Sequence, residues 1–206
     1  MHSTPTRTLR RTLAALLAAL PLLAHALDYQ VSIDTTPLAG TEGYLAIDLL
    51  QGTAGTTNQV QLSSFASTAT LGAATRAGDV TGTLPELLTL TSTDFFNEYL
   101  QGLSFAAGVI SFHLNVSTQH LPGDLPDTFA VYLLDSNLAP FSTSDPTGAG
   151  ALLVIDLVSQ PLPQVYESPS AVLTLVAVPE PAAGTLALAG LAVLALLVAR
   201  RREERA

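Results

Sequence analysis

The stretch Tyr44-Leu45-Ala46-Ile47-Asp48-Leu49-Leu50 shows a two-residue alternation that decides the fold class of this chain. Successive side chains of an extended strand point to opposite faces, so Leu45, Ile47 and Leu49 share one face, while Tyr44, Ala46 and Asp48 share the other. Apolar side chains at every second position are typical of a strand with one buried face. The stretch therefore predicts a β-strand that covers a hydrophobic core.

Similar short runs recur through the middle of the chain, separated by Gly, Pro, Asp and Ser. They predict about eight or nine strands in roughly 150 residues. The expected fold class is mainly β, an antiparallel two-layer β-sandwich that is either jelly-roll-like or immunoglobulin-like. The predicted strands are residues 29–34, 44–50, 59–64, 87–91, 109–116, 129–135, 152–158 and 172–176.

One segment, residues 95–101, is predicted to be a short helix. Asp94 suits its N-cap, and Gly102 suits the position after its C-terminus. Residues 117–127 and 137–150 are predicted loops, because Pro and Gly interrupt them. Residues 161–169 either begin a linker or form an irregular edge. The side chains expected to cover the core from the helix are Phe95, Phe96, Tyr99 and Leu103.

Charge and cysteine content limit the function of residues 27–177. This region has ten Asp and four Glu residues against the single Arg76 and no lysine, a net charge of −13 with the histidines neutral. Such a domain repels nucleic acid, and it approaches an anionic polysaccharide only with cations between them. A net negative charge also keeps an extracellular protein soluble. The absence of cysteine excludes a cysteine nucleophile, a thiolate metal site and disulfides.

No catalytic constellation stands out. His113 lies on the polar face of a predicted strand and His120 in a predicted loop, and no nucleophile-elbow, zinc-protease or phosphate-loop motif is present. The acidic residues offer many carboxylate pairs, and no spacing singles one out. We therefore expect no enzyme activity, no catalytic residue and no cofactor. Structural calcium stays open, with carboxylate and amide ligands from two loops: Asp124 and Asp127, and Asp135, Asn137 and Asp145.

The N-terminal residues 1–26 are predicted to be a cleaved signal peptide. Arg7, Arg10 and Arg11 precede an apolar run at residues 13–23. An A-x-A cleavage site follows, with Ala24 and Ala26 at its two small positions. The export machinery and signal peptidase are therefore expected partners.

The C-terminal residues 178–206 contain three parts in a fixed order. Pro179, Glu180 and Pro181 come first, and the uncharged apolar residues 182–199 follow. Eighteen helical residues span about 27 Å, close to the hydrocarbon thickness of a bilayer, so we predict one transmembrane helix. The positive-inside rule places the final cluster in the cytoplasm and residues 27–177 outside. That cluster is Arg200, Arg201 and Arg202.

The three parts together resemble the PEP-CTERM sorting signal of Gram-negative bacteria; an ordinary C-terminal anchor after a proline-rich linker is the alternative. The resemblance implies cleavage near Pro179, Glu180 and Pro181 by an exosortase after transient anchoring in the inner membrane. It also implies a final site at the cell surface or in the extracellular matrix, alongside exopolysaccharide in a biofilm.

The exported domain, residues 27–177, is also similar to a small uncharacterised PEP-CTERM family. The matching stretches are glycine and turn motifs, which fix backbone shape rather than chemistry. This second resemblance therefore implies no activity. The stretches are residues 38–44, 71–75, 78–82 and 95–102.

Two function classes remain open. The first is a non-catalytic surface or matrix protein that associates with exopolysaccharide. The second is a secreted carbohydrate-binding module or hydrolase that acts on matrix polysaccharide, and its support is fold analogy. Against it, the chain has no Trp on which a sugar ring could stack, and Tyr166 is the one tyrosine expected to be exposed. A pocket that gathers several acids, one with a raised pKa, would favour the second class.

Overall fold

The computed structural model describes residues 26–178 and Gly190. Most of the predicted signal peptide, the Pro-Glu-Pro motif, the predicted transmembrane helix and the arginine cluster lie outside the described residues. Within the described part of the chain, no helix is long and apolar enough to cross a membrane.

The described residues form twelve β-strands and one short 3₁₀ helix, Thr36–Leu38. The strands are β1 Ala26–Asp34, β2 Glu42–Leu50, β3 Gln59–Ser67, β4 Thr70–Ala77, β5 Val80–Gly82, β6 Leu88–Thr91, β7 Phe96–Ser104, β8 Val109–Ser117, β9 Thr128–Asp135, β10 Leu153–Asp156, β11 Gln164–Val165 and β12 Val172–Val178.

The strands form two six-stranded antiparallel sheets. The first sheet has the order β12-β1-β8-β3-β6-β5, and the second has the order β11-β10-β9-β2-β7-β4. Buried apolar side chains from both sheets join in one core, in which Phe112 of β8 and Ile47 of β2 are fully buried. The prediction of a mainly β, antiparallel, two-layer domain is confirmed.

The alternation in β2 is confirmed, with a difference on its polar side. Leu45, Ile47 and Leu49 are fully buried, as predicted. On the opposite face, however, Ala46 is 2% exposed and Asp48 only 9% exposed. The loop at residues 136–152 contributes Pro140 and Ala149 beside these two side chains, so the outer face of the second sheet is shielded here.

The predicted helix at residues 95–101 is wrong, because these residues enter β7. β7 lies between β2 and β4, and both neighbours pair with its backbone. The side chains buried along β7 follow a period of two, which a helix cannot provide. They are Asn97, Tyr99, Gln101 and Leu103.

The predicted roles of Asp94, Phe95, Phe96 and Gly102 change with that correction. The Asp94 carbonyl oxygen accepts a hydrogen bond from the Asn97 amide at 2.8 Å, and Gly102 lies inside β7. Phe95 is 71% exposed and Phe96 is 41% exposed, so neither plugs the core.

Besides β7, three strands have no counterpart in the sequence prediction: β4, β5 and β11. β4 is an edge strand whose side chains are almost all exposed, so it lacks apolar alternation. β11 lies within residues 161–169 and forms the other edge of the second sheet, so this segment is an irregular edge rather than a linker. Residues 118–127 and 136–152 are loops, close to the predicted positions.

Candidate functional site

A cleft opens on the outer face of the second sheet, where β2, β7 and β9 lie side by side. Its volume is about 250 Å³. Two acidic side chains and one phenol meet apolar side chains there. The residues that line it, called here the Asp48 cleft, are Ala46, Asp48, Glu98, Tyr132, Leu134, Pro140 and Ala149.

The strand register brings the two acids together. Asp48 of β2 lies directly opposite Glu98 of β7, and on its other side it lies opposite Ala130 of β9. Side chains directly opposite each other in an antiparallel pair have Cβ atoms about 5 Å apart. Ala46 and Ala130 add little bulk beside the acids, so the small side chains leave the space that becomes the cleft.

The loop over the cleft is held by two carboxylates. Oδ1 of Asp135 accepts hydrogen bonds from the backbone N–H groups of Asn137 and Ala139, at 2.8 Å and 2.9 Å. Both hydrogen bonds lower the pKa of Asp135. The loop then returns along β9, where Pro140 forms a bridge with Leu134.

Asp145 fixes the second half of the loop. Its carboxylate accepts hydrogen bonds from the backbone N–H and hydroxyl of Thr147 and from the backbone N–H of Ala151. Burial would raise the pKa of Asp145, but these hydrogen bonds lower it below the ordinary value. The loop is therefore tied to ionised carboxylates at neutral pH.

Asp48 itself lacks such partners. Its Oδ1 atom is fully buried and accepts no hydrogen bond from the described residues. Burial, followed by the charge of Glu98, raises the pKa of Asp48 to about 7. Burial also raises the pKa of Glu98, and the pKa of Tyr132 is raised by burial and by the charges of Asp48 and Asp145.

Among residues 26–178, no cationic side chain compensates the two acids. Arg76 is the single Lys or Arg residue between positions 27 and 177. It lies opposite Tyr99 in the β4–β7 pairing, so it lies on the face of the sheet opposite to Glu98. Its guanidinium donates a hydrogen bond to the Gly82 carbonyl oxygen at 2.6 Å and lies 5.7 Å from the centre of the Tyr99 ring.

This arrangement can exchange a proton near neutral pH or hold a positively charged group. Sequence reasoning missed the pair, because fourteen acids allowed many pairings and Glu98 was assigned to a helix. A strand assignment for residues 96–104 would have placed Glu98 on a polar face, but the pairing with Asp48 also required the register.

His113 and His120, the two histidines of residues 27–177, do not line this cleft. His113 is half-buried on the outer face of the first sheet, between Gln30 of β1 and Ser63 of β3, which agrees with its predicted polar face. His120 is in the predicted loop, where its Nε2 atom is 3.0 Å from the Asp124 carbonyl oxygen. The structure does not bring them together as a catalytic pair.

Three of the five proposed calcium ligands, Asp127, Asp135 and Asp145, accept hydrogen bonds from the protein itself. Asp127 is 2% exposed and accepts hydrogen bonds from the Gly52 backbone N–H and the Asn58 amide. Asp135 and Asp145 bind their own loop, as described above. Among the described residues, no three or more His, Cys, Asp or Glu side chains are grouped as metal ligands.

The aromatic side chains are arranged differently from the expectation. Tyr166 is half-buried, and its hydroxyl donates to the Gln164 side chain at 2.8 Å. Phe96 is exposed and lies two residues from Glu98, on the same face of β7. Phe96 is therefore the exposed aromatic residue that lies close to Glu98 in the sequence.

Comparison with protein families identifies the C-terminal segment. Residues 177–202 match the family model of the PEP-CTERM protein-sorting motif. The described domain is thus a two-sheet β domain followed directly by a sorting motif. The chain is therefore a PEP-CTERM domain-containing protein, and the motif implies export, membrane-anchored processing and recognition by an exosortase. No curated protein and no solved structure matches the chain.

Proposed function

We propose that this protein is a non-catalytic component of the cell surface or extracellular matrix that associates with exopolysaccharide after exosortase processing. The observation that carries the proposal is the sorting motif at residues 177–202. The motif begins where the domain ends, since β12 runs to Val178 and Pro179 follows directly. Processing at the Pro-Glu-Pro motif would release the β domain with almost no tail.

The charge of the domain supports a matrix role mediated by cations. A net charge of −13 over residues 27–177 repels an anionic polysaccharide at long range, and counterions or bridging cations reduce that repulsion. Asp135 and Asp145 hold their own loop by hydrogen bonds, a structural role that needs no substrate. These observations favour a solvated surface protein over an enzyme.

The proposal is tested in cells that make exopolysaccharide and in matched cells that do not. We expect the processed protein in the matrix fraction of the first cells and in the medium of the second. Glu180→Ala should remain in the membrane fraction, because the sorting motif is altered. Glu167→Ala is the matched control, since Glu167 is an exposed glutamate outside residues 177–202. The same distribution with and without exopolysaccharide would contradict matrix association.

A second candidate function is carbohydrate binding or hydrolysis. It is favoured by the Asp48–Glu98 pair, because most glycosidases use two carboxyl groups, one with a raised pKa. Exposed Phe96 on the same face of β7 adds an apolar surface. We place this function second because the cleft, at about 250 Å³, is smaller than ligand pockets of roughly 300–1,000 Å³.

Release of reducing sugar from isolated matrix polysaccharide separates the two candidates. A hydrolase would release reducing ends, and both Asp48→Asn and Glu98→Gln would abolish the release. The proposed function predicts no release by the wild-type protein above a heat-denatured sample.

A further inference from the structure

The Asp48 cleft contains a buried carboxyl oxygen that has no hydrogen-bond partner among the described residues. Asp48 is 9% exposed, and its Oδ1 atom accepts no hydrogen bond among residues 26–178. A buried carboxyl oxygen without a hydrogen-bond partner is stabilised either by a proton or by a positively charged group. Because Arg76 faces away, the positive group has to come from outside the domain.

The chemistry of the cleft restricts the kind of cation. Calcium takes six to eight oxygen ligands, whereas this cleft presents two carboxyl groups and one phenol. Its other walls are the apolar side chains of Ala46, Leu134, Pro140 and Ala149. A guanidinium is a wide, rigid planar fork, which is harder to place between two opposed carboxyl groups and apolar walls than a compact ammonium group.

A primary ammonium group fits this set of groups better. It is compact and has three N–H donors, which two opposed carboxylates can accept. An attached alkyl chain would contact the apolar walls, and the Tyr132 ring can attract the cation. We propose that the Asp48 cleft binds a primary ammonium group on a short alkyl chain, with Asp48 and Glu98 accepting its hydrogen bonds.

Binding of an ammonium group should be linked to proton release. The titratable groups that face Asp48 are Glu98 of β7, Tyr132 of β9 and, from the loop, Asp145, which acts on Tyr132. The pKa of about 7 for Asp48 means that about one-tenth of the carboxyl is ionised at pH 6 and about nine-tenths at pH 8. The affinity for an ammonium ion should therefore rise about tenfold between these values.

The test is titration of the full chain in a non-ionic detergent with n-butylammonium, followed by ligand-observed NMR at pH 6 and pH 8. We expect binding that strengthens about tenfold at pH 8, and much weaker binding of the neutral n-butanol. Asp48→Asn should lose at least tenfold in affinity at pH 8, and Glu98→Gln should lose affinity in the same direction. If Asp48→Asn does not fold, Glu98→Gln and the pH dependence decide the question.

Asp156→Asn is the matched control. Asp156 occupies the equivalent position in Leu153-Val154-Ile155-Asp156-Leu157 of the same sheet, but it is exposed and accepts a hydrogen bond from the Thr128 hydroxyl. Its substitution should leave n-butylammonium binding unchanged. Titration with Nα-acetyl-lysinamide and with glucosamine then distinguishes a protein lysine from an amino sugar as the source of the ammonium group.

The proposal is overturned by any of three results. The first is equal binding of n-butylammonium and n-butanol, which would mean that the charge is not recognised. The second is equal loss of affinity in Asp156→Asn and Asp48→Asn, which would indicate general attraction to an acidic surface. The third is calcium binding that requires Asp48 in the absence of any ammonium binding.

Discussion

Asp48→Asn should change how the stability of this protein depends on pH. The folded state raises the pKa of Asp48 from 3.8 to about 7, so the folded protein holds a proton that the unfolded chain releases. At pH 8 the carboxyl must ionise inside the fold, which costs about 4 kcal/mol of folding stability relative to low pH. Asparagine has nearly the same shape and does not ionise, so this cost disappears in the variant.

The sign of this pH dependence follows from the raised pKa of Asp48, which is an acid. Stability is highest while Asp48 is protonated, falls as pH rises from about 4 to about 7, and is constant above that range. Carboxyls with a lowered pKa, such as Asp34 and Asp135, act in the opposite direction and at lower pH. Between pH 5 and pH 8, Asp48 alone should remove about 2.5 kcal/mol of unfolding free energy.

Urea unfolding at pH 5 and pH 8 measures this contribution of Asp48 to the free energy of unfolding. The wild-type protein should lose about 2.5 kcal/mol more than Asp48→Asn between the two pH values, because titrating groups common to both proteins cancel in the comparison. Asp156→Asn should follow the wild-type protein. Parallel pH dependence in the wild-type protein and Asp48→Asn would refute the buried, unpartnered state of this carboxyl.

Four further substitutions test the fold and the sorting motif. Gly43→Ala should destabilise the domain by about 2–4 kcal/mol in urea unfolding, because the added Cβ would overlap the Leu134 carbonyl oxygen of the paired strand. Gly72→Ala in edge strand β4 has room for its Cβ and should change stability by less than about 1 kcal/mol; equal effects of the two changes would contradict the pairing of β2 with β9. Asn97→Ala should cost about 2–4 kcal/mol in thermal unfolding, since the fully buried side chain makes three hydrogen bonds to backbone groups; a cost below about 1 kcal/mol would argue against the strand assignment of β7. Glu180→Ala should keep the C-terminal segment on the protein, which intact mass would detect, and a wild-type mass distribution would contradict recognition of the motif.

The sequence predicts this fold well where a strand has one buried face. In β2 and β8 the apolar side chains alternate with polar ones, and the structure buries the expected set. Edge strand β4 contains mostly small and polar side chains that remain exposed, so its sequence shows no two-residue hydrophobic period. The fold class was therefore predictable, whereas the number of strands was not.

β7 misled the sequence reasoning for a different reason. Its buried positions include Asn97 and Gln101, whose polar side chains conceal the two-residue period. Both side chains depend in part on groups from distant parts of the chain, such as the Leu49 and Gly72 carbonyl oxygens. Local propensity cannot register hydrogen bonds of that kind, and tertiary structure overrides it here.

The Asp48 cleft depends on information that a single strand does not contain. Alternation placed Asp48 on the polar face, but its partner is set by the register between β2 and β7. Its burial depends on the loop that carries Pro140 and Ala149. The sorting motif, by contrast, can be predicted from the sequence alone, because it consists of three segments that are adjacent in the sequence.

The measurement that tests the central claim most directly is the intact mass of the protein in each fraction of cells that make exopolysaccharide. We predict a species in the surface or matrix fraction that begins near Leu27 and ends near Pro179, Glu180 and Pro181. A species that keeps Arg200, Arg201 and Arg202 and stays in the inner membrane would contradict exosortase processing, and it would identify the C-terminal segment as a permanent anchor.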